Sequence, residues 1–350
     1  MFSRNLRYYR LYRNMTQKEL AQKSKLTPMS ISNYEKGSSQ PDMDVLKRLA
    51  SVLNIRVSDF LLARDKNILF KHGEFRKSSS LSNAQQEFIR ESVEEYFSRF
   101  MSVLEILGGE ILPVPPVCNI LQLNQDVEIN ASKLRLHLGF PEDGPIEDLI
   151  GKLENKGILV YECNIDNNKF SGMNGFVNGR PYIVVNTNMS AERNRSTVAH
   201  ELAHLMFSWP LDIPPQEIEN EATAISGAFL FPKSDVIREL GIHRSAITSD
   251  MLLVAVEYGV SMMLLAKRAK LCNVISDKSE RNFYIMASKA GWRNAEPQRI
   301  NKEKSMLFKQ LVYRAVSEEE ISVSKGAELL RVSFEEIRKN SSHEVYNGVY

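Results

Sequence analysis

Cysteine is scarce in this chain, with only Cys118, Cys163 and Cys272 among its 350 residues. They are odd in number, far apart and without C-x-x-C spacing, which excludes a disulfide framework and points to reduced thiols. Long apolar runs are missing too. No stretch approaches the ~20 residues that span a bilayer, so no membrane partner is expected. The N-terminus is a basic amphipathic segment and not the pattern of a signal peptide, so the expected location is the cytoplasm. Net charge is almost absent, at +2. What the chain does have is 43% hydrophobic content, ample for one large core and a small independent head.

The near-zero charge conceals an asymmetry. Residues 1–64 carry twelve basic side chains against Glu19, Glu35, Asp42, Asp44 and Asp59, a net +7 that leaves −5 for the remainder. A basic head on an acidic body is the footprint of a chain whose one end meets phosphate. Thr16-Gln17-Lys18-Glu19 reads as a capping-box helix start backed by Leu20 and Ala21. Leu26-Thr27-Pro28 breaks that helix, and Pro28 suits the first position of the next. Met29 to Lys36 follows and stops at Gly37. Val45, Leu46, Leu49, Ala50 and Leu53 then recur at helical spacing. Two short helices joined by a tight turn and flanked by supporting helices predict a helix-turn-helix domain over 1–64.

The segment from Thr16-Gln-Lys-Glu through Thr27-Pro-Met-Ser-Ile-Ser-Asn-Tyr-Glu-Lys-Gly37 to Pro41 resembles the XRE/Cro class of phage-type repressors. The resemblance implies a double-stranded DNA operator as partner. It also implies that Gln17 touches a phosphate and that Thr27, Met29, Ser30, Asn33 and Lys36 face the groove. Asn33 has the amide that pairs bidentately with adenine, whereas Lys36 suits the backbone. Ile31, Tyr34 and Glu35 read as packing and internal bracing.

Residues 65–116 read as a connector. Lys71 to Ser82 is polar and rich in lysine and serine, the composition of a mobile joint. Phe88, Val93, Tyr96, Phe97, Phe100, Met101, Leu104 and Leu107 then recur at helical spacing up to Gly108-Gly109. That pattern predicts a helix packed on the catalytic body. The alternative is a dimer helix, since such repressors bind symmetric half-sites as homodimers.

His200-Glu201-Leu202-Ala203-His204 is the H-E-x-x-H signature of a zinc peptidase. On a helix, residues four apart share a face, so both imidazoles can grip one metal ion while Glu201 serves as general base. Tyr182 to Asn186 reads as a strand feeding that helix, Ser190 as its cap, and Val198, Leu202, Leu205 and Met206 as its apolar stripe. A third protein ligand is needed. Ala222, Ile225 and Phe229 trace the buried stripe of the next helix and place Glu221 at its edge, which makes Glu221 the chosen third ligand. Glu217 and Glu219 read as solvated or supporting groups, and His243 as a loop histidine.

Arg195-Ser-Thr-Val-Ala-His-Glu-Leu-Ala-His-Leu-Met206 and Glu219-Asn-Glu-Ala-Thr-Ala-Ile-Ser-Gly-Ala-Phe-Leu-Phe-Pro232 together resemble the ImmA/IrrE family of metallo-endopeptidases. The resemblance implies a zincin-like domain, here expected over 117–296, with a helical extension over 297–350. It implies zinc as the ion, with manganese the substitute, and puts the third ligand of the E-x-E-A motif on Glu221. No other cofactor is expected. Family members have Gly at the position of Ala203 and an aromatic at Ser196, and neither difference touches a ligand. The implied substrate is a repressor, often of the XRE type, or the chain's own joint.

The expected fold is α+β and mostly helical. Strands are expected over 158–163, 175–177 and 182–186, two helices over 127–156, and a long apolar helical pattern over 252–271. Ile321 to Ser333 echoes a helix-turn-helix pair without the basic excess, and so reads as a packing element. Tyr258 is the candidate for stabilising the oxyanion. Two functions fit: a DNA-binding regulator with zinc endopeptidase activity, or a non-proteolytic, antitoxin-like regulator that uses the peptidase fold as a sensor.

Overall fold

The computed structural model describes residues 1–61, 67–73, 81–167, 169–292, 296–297 and 300–341. The chain divides into two compact units, Met1–Ile68 with Lys77–Gly109, and Leu69–Arg76 with Glu110–Tyr350.

The first unit is helical: α1 (Phe2–Tyr12), α2 (Gln17–Ser24), α3 (Pro28–Lys36), α4 (Met43–Leu53), a 3-10 turn over Val57–Leu61, and α5 (Asn83–Ile106). Its starts follow local chemistry. Thr16 and Glu19 form a reciprocal capping box, Thr27 accepts the backbone N–H of Ser30, and Asp42 accepts that of Val45. Leu6, Leu20, Ile31, Leu49, Leu53 and Phe60 close the core. The long helix α5 corrects an expectation: it belongs to this unit and packs on α1. The reason lies on its polar side. Arg4 pairs with Glu91 and Glu94, Arg7 pairs with Glu87, and Phe88 stacks on Tyr8 with ring centroids 6.4 Å apart. Apolar spacing alone did not reveal this charge match.

The second unit is built on a small mixed sheet. Its strands are β1 (Phe70–His72), β3 (Leu159–Cys163), β4 (Gly172–Val177) and β5 (Arg180–Asn186), in the order β1-β4-β5-β3. Strands β3 and β5 run parallel, while β4 is antiparallel to both β5 and β1. A second, two-stranded sheet pairs β2 (Leu121–Gln122) with β6 (Phe207–Ser208). Ahead of β3 come α6 (Val127–His137) and α7 (Leu149–Glu154). Beyond the sheet come α8 (Ala191–Met206), α9 (Pro215–Leu230), α10 (Lys233–Leu240), α11 (Met251–Tyr258), α12 (Met262–Leu271) and α13 (Asp277–Lys289). A last group is α14 (Leu307–Ser317), α15 (Val323–Leu330) and α16 (Phe334–Ser341), packed on one another. The fold is α+β and mostly helical. Among the described residues no helix is long and apolar enough to cross a membrane.

Two local readings change. The expected joint over 71–82 begins as strand β1 and ends at Ser82, the cap of α5; residues 74–80 of it lie outside the described residues. The apolar pattern over 252–271 is two helices, because Gly259 adopts a left-handed φ of 62° and ends α11. Both reflect backbone events that side-chain periodicity does not encode.

Candidate metal centre and candidate nucleic-acid interface

Helix α8 starts where Ser190 accepts the N–H of Arg193, and it buries Val198, Leu202 and Met206 against the core. This leaves His200 and His204 one turn apart on a partly open side. Their Nε2 atoms face one another at 3.0 Å. Glu219 of α9 closes the group, with carboxylate oxygens 3.3 Å from His200 Nε2 and 3.6 Å from His204 Nε2. Hydrogen bonding to His200, then to His204, holds the Glu219 carboxyl well below the usual carboxylate range. The ligand atoms of these three residues all lie within 4.8 Å of one another. Zinc–donor lengths of about 2.0–2.1 Å in a tetrahedron imply donor separations of roughly 3.3 Å. The three observed separations bracket that value, so the residues fit such an ion.

Glu221 is not part of this group. Its carboxylate accepts from Asn130 Nδ2 of α6 at 3.2 Å. Residues two apart on a helix point about 200° away from each other, and α9 lies against both α8 and α6. The buried stripe of Ala222, Ile225 and Phe229 therefore has two edges. Glu219 and Thr223, one turn apart, occupy the edge toward α8, where Thr223 Oγ1 lies 3.4 Å from His200 Nδ1. Glu221 occupies the edge toward α6. The stripe was read correctly, and its handedness toward α8 was not visible.

Glu201 is buried, and one of its oxygens accepts from the Asn174 side-chain amide at 2.7 Å. Asn174 sits in β4, and no motif marked it. Its placement follows from matched repeats: two strand residues advance about 6.8 Å and four helix residues about 6 Å. Gly172 and Thr197 make one contact of this ladder, and Asn174 and Glu201 make the next. A Cβ at Gly172 would lie 2.5 Å from Thr197 Cγ2, so glycine admits the helix. Trp209 flanks the cluster, its ring centroid 5.6 Å from that of His204. Tyr258 does not join it. That side chain is fully buried, and its hydroxyl accepts from Arg238 at 2.6 Å and donates to Glu239 at 3.5 Å.

In the first unit, Met29 stands 69% exposed on α3, Lys36 is exposed and Asn33 half-buried. Thr27 Oγ1 and Ser30 Oγ are 2.8 Å apart, so Thr27 is engaged in capping α3. Ile31 is fully buried, Tyr34 packs edge-on to Phe2, and Glu35 takes two bonds from Arg10 at 2.5 and 2.9 Å. The packing and bracing roles read from the sequence are thus those observed. Gln17 Nε2 donates to the same Glu35 at 2.7 Å, a tie that the sequence had not suggested.

These features define a class: a helix-turn-helix domain joined in one chain to a domain of the metallopeptidase type. Residues 6–60 match the helix-turn-helix family and residues 153–270 match the IrrE N-terminal-like domain. The chain thus resembles XRE-type helix-turn-helix proteins over its first sixty residues and ImmA/IrrE-type metallopeptidases over 153–270. Over 67 residues it is 34% identical to an uncharacterized HTH-type transcriptional regulator, YqaE, of Bacillus subtilis (strain 168). That match covers 19% of this chain and 57% of the relative. No solved structure matches the chain.

Proposed function

We propose that the chain is a cytoplasmic, nucleoid-associated transcription regulator whose second unit is a zinc-dependent endopeptidase, acting on a repressor protein or on its own chain. The observation that supports this best is the convergence of His200, His204 and Glu219 beside a buried Glu201 held by Asn174. His200, His204 and Glu219 would hold the ion; two imidazole nitrogens and a carboxylate oxygen are a donor set for zinc, and manganese is the substitute. When bound, the ion supplies Lewis acidity toward the scissile carbonyl and the attacking water. Glu201 moves the proton. One oxygen is fixed by Asn174, and the other takes the proton of the attacking water and hands it to the departing amine nitrogen. A regulator that uses this fold only as a sensor needs ligands but no oriented base, so the Asn174–Glu201 bond favours catalysis.

Met29, Ser30, Asn33 and Lys36 would meet the operator from α3, with Thr27 at its cap. A primary amide carries two N–H donors, so the Glu35 bond orients Gln17 and leaves a second donor for a phosphate oxygen.

The test compares new protein N-termini in cells carrying the parent chain or Glu201→Gln, with and without DNA damage. A cut that appears only with Glu201 intact is expected, and its sequence names the substrate. If no such cut appears under several stresses, with both proteins stable and metal-loaded, the sensor reading replaces this one.

A further inference from the structure

The sheet of the second unit is completed by a strand from elsewhere in the chain. Strands β4 and β5 form a local hairpin, but β1 comes from Leu69–Arg76, and the chain on both sides of that stretch belongs to the first unit. We propose that Leu69–Gly73 is a resident occupant of the outer edge of β4, a tethered competitor, built into the connection, for the extended peptide such an edge receives. This rests on the peptidase reading for the identity of the incoming peptide.

Three observations carry it. The first is backbone pairing. Asn178 N donates to Leu69 O and Gly73 N to Asn174 O, each at 2.8 Å, with Phe70, Lys71 and His72 in antiparallel register opposite Val177, Phe176 and Gly175. Paired positions alternate along such a ladder, so Lys71 lies at a hydrogen-bonded position between them. Addition of a strand to a sheet edge is a general mode of peptide recognition.

The second is where the occupant ends. A Cβ at Gly73 would lie 2.6 Å from Asn174 O and 3.1 Å from Asn174 Oδ1. The same Asn174 side chain donates to Glu201. The strand thus runs along β4 until its backbone meets the residue that orients the base. An occupied edge at this point and a peptide presented to Glu201 exclude one another.

The third is a side-chain latch. His72 Nδ1 and the Tyr182 hydroxyl are 2.7 Å apart. They meet across Gly175, where a Cβ would come within 2.4 Å of that hydroxyl. The missing side chain lets β5 reach over β4 to hold β1. Otherwise the grip is light, since Leu69 and Lys71 are exposed and Phe70 and His72 only half-buried. A short strand with little apolar burial is displaceable. Its tether nonetheless gives it an effective concentration on the order of millimolar, enough to exclude weak peptides.

The probe is a fluorescein-labelled peptide copying residues 67–73, Asn-Ile-Leu-Phe-Lys-His-Gly, bound to the full chain in a Glu201→Gln background, which removes any dependence on cleavage. Lys71→Pro removes the central donor of β1, and Gly73→Ala drives the strand from Asn174 by contact. Each should bind the probe about tenfold or more tighter than the parent, as expected when a competent state is populated a tenth of the time or less. The Phe70→Cys/Val177→Cys pair joins facing residues; it should bind no probe when oxidised and regain parental binding on reduction. Equal binding by the parent and both edge variants, or binding by none, would overturn the proposal. Probe binding that follows this pattern, with no Glu201-dependent cut in cells, would sink the peptidase reading and leave the docking edge standing.

Discussion

Two glutamates separated by one residue have different fates, and the difference is angular. Glu219 faces both imidazoles, whereas Glu221 is turned to Asn130. Glu219→Ala should lower zinc affinity by more than the roughly 10–100-fold typical of losing a supporting partner, and Glu221→Ala should stay within that range. Titration against a competing chelator reads both. If Glu221→Ala loses the ion and Glu219→Ala keeps it, the ligand assignment from the E-x-E-A pattern is restored. The pentapeptide identified Glu201 by itself. Its partner Asn174 lies 27 residues upstream on another element, and nothing in an isolated asparagine marks it as the group that holds Glu201.

Among the elements, α8 and β4 set the spacing of the centre. Their contact depends on Gly172, since an added Cβ would lie 2.5 Å from both Thr197 Cγ2 and the Val184 carbonyl oxygen. Gly172→Ala should therefore destabilise the fold by about 1–3 kcal/mol, the usual cost of overfilling a packed contact. A denaturant midpoint equal to the parent's would show that the helix yields freely and that the ladder is not rigid. Helix starts were legible, because Thr16, Thr27 and Ser190 cap their own neighbours. Strand β1 was not: three residues offer no period, and lysine, glycine and serine make the surrounding stretch look like a joint. Helix α5 was legible as a helix but not in its docking, which rests on Arg4 and Arg7 meeting glutamates some eighty residues away.

For the whole molecule, the charge asymmetry is smaller in effect than in count. Arg4 and Arg7, both counted in the +7 of the head, are spent on Glu94 and Glu87 of α5 within the first unit. On the proposed reading, sequence preference comes from α3 and diffuse charge adds only general affinity. Asn33→Ala should lower the ratio of operator to unrelated-DNA affinity by about 1–3 kcal/mol, while Gln17→Ala should weaken both alike. Competition binding at fixed salt distinguishes them, and an unchanged ratio for Asn33→Ala would remove that residue from the groove. In the second unit the chain after α13 returns to brace the start of α8. Ile300 N donates to Glu192 at 3.0 Å, Glu303 pairs with Arg195 and accepts from Ile150 N at 2.9 Å, and Ser305 Oγ donates to Glu154 at 2.6 Å. The C-terminal extension therefore begins as a strap on α7 and the start of α8.

The sequence by itself determined what is written in adjacent residues: the caps, the helix-turn-helix, the facing pair His200 and His204 with Glu201 between them, and the division into a basic head and an acidic remainder. These are local because a cap, a helical face or a metal-gripping pair is completed within one turn of chain. Only the tertiary structure decided which glutamate joins the histidines, which asparagine holds Glu201, where the long helix docks, and that a piece of the connection occupies the edge of the sheet. Each of these depends on how one element is rotated against another. That rotation is set by the packing of many side chains together and not by any short pattern.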